Sequence, residues 1–194
     1  SNIEPDLTIR HPIKDYISLD NANLFIHNNT PFFSDSTLYA KYIISHAMIK
    51  KKNYSKGVLV YAMEKEKIRE IFNFNYITEY ADDSDFLFIS NTLSEQIHLT
   101  KNEELYIFDI EEMIQEKNIK GIKNKITGVY ESNIKTFDKK VIFMSLNKAR
   151  KLFNVDELSF TGIMIENVNE DYLIENISTN LLHETWEEKH QNLL

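Results

Sequence analysis

The densest set of side chains able to do chemistry lies near the end of the chain, in "LLHETWEEKH", residues 181–190. Two histidines and three glutamates fall within eight residues there. On a helix, His183, Glu187 and His190 stand at i, i+4 and i+7, and at about 100° per residue they share one face. Such a face offers a zinc ion two imidazoles and a carboxylate, and further ligands or waters would have to complete four-coordination. A zinc-protease helix is spaced differently: its second His follows four residues after the first, with Glu directly after the first. Glu184 is in place, but position 187 is Glu187 rather than His. The stronger reading is therefore a solvated, amphipathic helix end. Trp186, then Leu193 and Leu194, mark an expected approach to a bilayer, because an indole ring is apolar and its N–H polar. A metal-dependent hydrolase using His183, Glu187 and His190 stays as the lesser alternative, to be decided by metal analysis.

The other reactive residues are sparser. "YADDSDF" (80–86) gathers Asp82, Asp83 and Asp85. A calcium site needs several converging oxygens, and the Gly and distal Glu of an EF-hand are missing, so an acidic turn before a strand is expected. "DIEEM" (109–113) reads as a charged loop or a helix start. His11, His27, His46 and His98 are scattered singly. No Ser–His–Asp set can be assembled, and there is neither a Gly-x-Ser-x-Gly elbow nor a phosphate-cradling Walker A loop, so any ATPase activity is expected on another polypeptide. One local basic stretch stands out in an acidic chain: "EKNIKGIKNKI" (116–126), with Lys117, Lys120, Lys123 and Lys125 around Gly121. It reads either as a solvated hairpin tip or as a docking loop for an acidic partner, since opposite charge speeds encounter.

The chain that must position these groups has 194 residues, enough for one domain or two small ones. Its 42% hydrophobic content can bury a core. The net charge of −8 disfavours nucleic acid and broad adhesion to an anionic membrane. The absence of cysteine excludes disulfides, thiolate nucleophiles and Cys-ligated zinc. No apolar run approaches the roughly 18 residues of a membrane span. No signal peptide is visible, and a chain without targeting segments is expected to be an excised domain.

Patterning predicts strands at 6–11, 58–63, 85–90, 104–110, 124–132, 139–146 and 160–168, from alternating or continuous β-branched and aromatic residues. It predicts helices at 18–29 (capped by Ser18 or Asp20), 64–74, 91–99 and 145–155 (capped by Ser145). Ile68, Ile71, Phe72, Leu93, Ile97, Leu152 and Phe153 are expected inside, with Gln96 also facing inward. "TLYAKYIISHAMIKK" (37–51) is long enough for a helix yet rich in Tyr and Ile; with "NYSKG" as a turn before 58–63, a hairpin makes both flanks strands. Residues 169–194 are helical in pattern. Many strands and few helices in mixed order suggest α+β.

The run "GVLVYAMEKE … DFLFISNTLSEQIHLTKNEELYIF … NKITGVYESNIKTFDKKVIFMSLNKARKLFNV … FTGIMIENV" resembles, in order and spacing, the extracytoplasmic domain of FtsX/MacB-type ABC transporter permeases. It is most similar to the lipoprotein-releasing LolC/LolE-type permeases. "EPDLTIRHP" resembles the stretch after the first transmembrane helix, and "TWEEKHQNLL" the stretch before the second. Two departures stand out. Lys101-Asn102 replaces a Gly-Asp turn, and Asn tolerates the left-handed conformation that Gly would supply. "EEMIQEKNIKGIKNKI" lacks the proline of the hairpin with which relatives hook a periplasmic carrier.

The resemblance implies a two-lobed α+β domain. An α/β porter-like lobe would come from both chain ends, 1–66 and 146–194, and a β-rich inserted lobe from 67–145. Residues near 6–12 and 180–190 would lie together, since both lead to one membrane. It implies a non-catalytic periplasmic domain of an inner-membrane permease, without cofactor. Its partners would be a cytoplasmic ATPase, a second permease subunit, and a periplasmic carrier or lipoprotein substrate. Its work would be to transmit ATP-driven motion in lipoprotein release. An FtsX-like role, activating a cell-wall hydrolase, is the alternative.

Overall fold

The computed structural model describes residues 5–10, 15–115, 119, 121–169, 171–172 and 182–185, the last four as backbone. Along the chain, β1 (Leu7–Arg10) buries Leu7 and Ile9. After β2 (Ile17–Ser18), the Ser18 hydroxyl accepts from the Asn21 N–H at 3.1 Å and starts α1 (Leu19–Asn29). A 3-10 turn, Thr30–Phe32, follows. The ambiguous stretch then forms β3 (Leu38–Lys51), paired with β4 (Tyr54–Ala62) from Ile43↔Ala62 to Lys51↔Tyr54. Its β-branched and aromatic residues suit a pleated, half-buried surface better than a helix. The turn is Lys52–Asn53, with Lys52 at φ 51°, so "NYSKG" mostly supplies strand rather than turn.

Next come α2 (Lys65–Ile71), β5 (Phe74–Glu79), β6 (Leu87–Ser90) and α3 (Asn91–Gln96), whose cap is the Ser90 hydroxyl. Gln96 is exposed, contrary to its expected inward place, because Leu93 and Ile97 already fill the buried face. The chain continues through β7 (Glu104–Asp109), α4 (Ile110–Ile114), β8 (Ile122–Lys125), β9 (Gly128–Ser132), α5 (Lys135–Asp138) and β10 (Val141–Met144). The single strand expected at 124–132 is thus two, since β8 pairs with β7 while β9 pairs with β5 and β6. The last elements are α6 (Leu146–Phe153), β11 (Ser159–Phe160), β12 (Gly162–Glu166) and β13 (Leu182–Thr185). Helix α6 is capped by Ser145 and ends at Asn154 in the left-handed conformation.

The helical pattern of 169–194 gives way at 182–185 to a strand. Its backbone pairs with β1, Leu7↔Thr185 through Arg10↔Leu182, which satisfies an edge that would otherwise present unpaired N–H and C=O groups.

Two compact units result. The first comprises Ser1–Tyr42, Glu66–Asn73 and Asp156–Leu194. Its strand order is β13-β1-β12-β3, antiparallel throughout, and β2 pairs with β11. The beginning and end of the described chain are therefore neighbours. The second unit comprises Ile43–Lys65 and Phe74–Val155. Its order is β3-β4-β10-β6-β9-β5, with β7 and then β8 added beside β3. Here β4–β10 and β6–β9 are parallel, and the other pairs antiparallel.

Residues 43–65 and 146–155 fall in this second unit, whereas the sequence reading grouped them with the chain ends. The reason is pairing: β4 is held by β10 (Leu59↔Val141), and α6 buries Ala149, Leu152 and Phe153 in the core around Ile142 and Met144. Residues 67–73 move the other way, into the first unit. Period-two alternation sends Phe143 to the opposite face from Ile142 and Met144, where it meets Tyr61, Phe74, Tyr130 and Phe137 with centroids 5.3–6.2 Å away.

Candidate functional site

The basic stretch lies on the hairpin made by β7 and β8. On β7, Leu105, Ile107 and Asp109 point inward and are buried, which leaves Glu104, Tyr106 and Phe108 on the other face. Tyr106 is flanked in register by Lys50 of β3 and Lys123 of β8. It is 45% exposed, and its ring stacks on Phe108 at 6.3 Å. A Cβ on Gly121 would meet the Phe108 ring at 2.4 Å, so glycine lets that ring lie against the backbone. Beyond the strand ends, Ile114 and Ile119 are 76% and 49% exposed, large values for isoleucine.

Lys123 reaches Glu104 at 2.5 Å, and this pairing raises the lysine's pKa, keeping it charged. Both partners are exposed, so the pair adds little to stability. Lys125 is exposed on the same strand, and between the two lysines Asn124 is buried, its amide donating to the Ile122 carbonyl at 2.9 Å. The result is a sheet surface bearing the ammonium groups of Lys50, Lys123 and Lys125 around a phenol and a half-exposed Phe108. Such a surface has the charge and apolar area to suit an acidic partner with apolar side chains. Lys117 and Lys120 lie outside the described residues.

The three clustered aspartates do not converge. Asp82 pairs with Lys65 at 2.7 Å, and the Lys65 hydrogen bond lowers its pKa. Asp83 accepts the Asp85 N–H at 2.8 Å, and Asp85 accepts the Ser145 hydroxyl at 2.6 Å. Asp83 thus holds its own turn, while Asp82 and Asp85 tie that turn to α2 and to the start of α6. Among the described residues no three His or acidic side chains come together as metal ligands do. His183 sits on β13, so a helical face cannot run from it through Glu187 to His190; these last two, with Trp186, Leu193 and Leu194, lie outside the described residues. His27 and His46 are exposed, and the His98 ring packs on Tyr54 at 4.9 Å.

Two polar arrangements were not anticipated from sequence. Asp138 is buried, and desolvation raises its pKa against the Ser132 hydroxyl and N–H, which donate to it at 2.6 and 3.2 Å. The fully buried Tyr130 donates to the Val141 carbonyl at 2.7 Å. Both fasten β9 to the segment entering β10 and are structural. The exposed aromatic face was also missed. Its signal was the alternation of "ELYIFD", but Lys50 joins it from a distant strand.

No protein-family model matches this sequence, and no curated protein matches it. Solved structures do match in fold. The extracellular domain of the noncanonic ABC-type transporter YknZ from Gram-positive bacteria superposes with a TM-score of 0.55 at 7% identity, covering 88% of this chain and 87% of that one. The periplasmic region of MacB from Actinobacillus actinomycetemcomitans superposes with a TM-score of 0.56 at 10% identity, covering 97% and 92%. The fold is thus that of MacB-like extracytoplasmic domains, a mixed α and β architecture with a large sheet and few helices.

Proposed function

We propose that this chain is a non-catalytic extracytoplasmic domain of an ABC transporter permease, held outside the inner membrane by flanking helices and driven by a cytoplasmic ATPase subunit. The observation that carries the reading is the likeness in fold to the domains of YknZ and MacB, which spans nearly the whole of all three chains. The pairing of β1 with β13 supports it, because a domain inserted between two membrane helices must bring its two ends together. In this reading the first unit is the porter-like lobe, and the second, whose segments are inserted into it at two places, is the β-rich lobe. ATP-driven movement of the membrane helices enters through β1 and β13. The lobes carry it outward, against a second permease subunit.

The finer proposal is lipoprotein release. By the sequence resemblance, the β7–β8 hairpin would correspond to the hairpin with which lipoprotein-releasing permeases hook a carrier. Here the means of contact would differ: Lys123 and Lys125 offer charge, while Tyr106, Ile114 and Ile119 offer apolar surface. Affinity purification of the full-length protein from solubilised membranes tests the reading. Recovery of a stoichiometric ATPase with a Walker A motif is the expected result, and its absence refutes the permease assignment. A lipoprotein carrier cross-linked to the hairpin supports release; a murein hydrolase in its place assigns the FtsX-like role instead.

A further inference from the structure

One end of the first unit carries a cluster of four aromatic rings, two exposed and two half-buried. Strand register fixes which end: Leu7 lies opposite both Ile165 and Thr185, and Leu38 lies opposite Glu166. The start of β1, the end of β13, the end of β12 and the start of β3 are therefore at one level. Hydrogen bonds tie the connecting turns to the same level. The Thr37 hydroxyl donates to the Asn167 carbonyl at 2.8 Å, and the Asn167 N–H donates to Asp6 at 3.2 Å. The loop that reaches β3 from α1 carries Phe32 and Phe33. Phe32 stacks on Tyr172 with centroids 5.9 Å apart and planes 13° apart, and Phe33 lies 5.9 Å from Tyr39. Tyr172 is 54% exposed and Tyr39 37%. Tyr39 and Tyr172 are thus presented to solvent beside the points where the chain enters and leaves.

We infer that this end is a lipid-contacting surface, and that Phe32, Phe33, Tyr39 and Tyr172 rest in the headgroup layer of a zwitterionic membrane. The inference rests on the permease reading, which puts the start of β1 and the end of β13 next to the bilayer. Given that placement, the choice of side chains follows from their chemistry: Tyr and Phe combine an apolar ring with, in Tyr, a hydroxyl that stays hydrated, the pattern of interfacial aromatic belts. The charges select the lipid. Asp6 and Glu166 lie at this level through the Asn167 and Asp6 N–H groups, Asp35 and Asp171 belong to the segments that carry the rings, and Lys67 is placed 5.9 Å from the Tyr39 ring centre. An acidic rim on a chain of net charge −8 is repelled by anionic headgroups, whereas the ammonium of a zwitterionic headgroup meets both carboxylates and ring faces.

The test uses the chain tethered through a carboxyl-terminal histidine tag to vesicles of zwitterionic lipid brominated on the acyl chains, with a little nickel-chelating lipid. Trp186→Phe removes the one native tryptophan. Tyr172→Trp then reports from the aromatic end. Leu158→Trp reports from the far end of α1, where Leu158 is 60% exposed and its carbonyl accepts from Leu19. The helix between them is about 16 Å long, at ~1.5 Å per residue. The expected result is a blue shift and quenching at position 172 and neither at 158, both weakened when anionic lipid replaces the zwitterionic lipid. Equal quenching at the two positions, or none at 172, overturns the inference. So does a blue shift at 172 that needs no vesicles and grows with protein concentration, which assigns the rings to a second copy of the chain. If the ATPase co-purifies while Tyr172→Trp stays unquenched, the permease reading stands and the lipid contact alone fails.

Discussion

Replacing Gly162 by Ala should destabilise the protein more than any other single methyl addition at its four glycines. Gly162 opens β12, between Arg10 of β1 and Tyr42 of β3. A Cβ built there falls 2.1 Å from the Ile9 carbonyl oxygen and 3.1 Å from the Tyr42 hydroxyl. The nearest atom is backbone, so no rotamer change relieves it, and β1 must retreat by about 1 Å to restore ordinary contact. Gly162 does not have positive φ, so the cost is packing rather than backbone conformation. Overpacking of this kind costs roughly 1–3 kcal/mol, and a backbone obstacle puts this site near ~2–3 kcal/mol. With a urea m-value of roughly 2 kcal/mol/M, the midpoint should fall by about 1–1.5 M at unchanged m. Gly57→Ala is the matched control: a Cβ there meets nothing within 4 Å, and the same methyl should be neutral or stabilise by up to ~1 kcal/mol. Equal midpoints for the two variants would refute the reasoning, because only the neighbouring atoms differ.

Lys52→Gly should raise stability by ~0.5–1 kcal/mol, since relief of the left-handed strain at Lys52 outweighs the added chain entropy; a melting temperature higher by about 2 °C checks it. Glu103 is held at about 2, from an ordinary 4.5, first by its bond from the Lys51 ammonium and then by the Thr100 N–H. A depressed carboxylate contributes stability that is complete above its unfolded pKa and is lost as pH falls towards 2. Glu103→Gln should therefore flatten the acid limb of the stability curve between those two values, as read by urea unfolding at stepped pH. If residues 116–126 dock an acidic partner, changing Lys117, Lys120 and Lys123 together to Glu should slow that association by about tenfold, with an unchanged melting temperature. A lower melting temperature would make the loop structural instead.

Short elements with local signals were legible in the sequence. Ser18, Ser90 and Ser145 each accept the N–H three residues on, and each precedes a helix that the pattern predicted. Asn102, the residue expected to replace a turn glycine, has φ 74°. What was illegible depends on distant pairing. β5, with its bulge between Phe74 and Tyr76, has a mixed exposure pattern and becomes a strand because β9 lies beside it. "LHET" carries a helical spacing, yet the edge of β1 decides its conformation. The candidate hairpin was half legible: Lys123 and Lys125 stand close together in sequence, while Lys50 reaches the same surface only through the register of β3 with β7.

The position of β1 sets the order in which the molecule can be made. Both of its strand neighbours, β12 and β13, come from the far end of the chain, and the Asp6 N–H finds its acceptor on Glu166, 160 residues later. As the chain is synthesised, β1 precedes the other described elements and waits, with both edges open, until β12 and β13 arrive. The second unit needs nothing beyond Val155 and can form during that interval. Closure of the first unit is then the late, high-contact-order step. A ribosome that stops before Gly162 releases a chain with a finished second unit and a β1 that lacks both partners, a template for aggregation that quality control must remove.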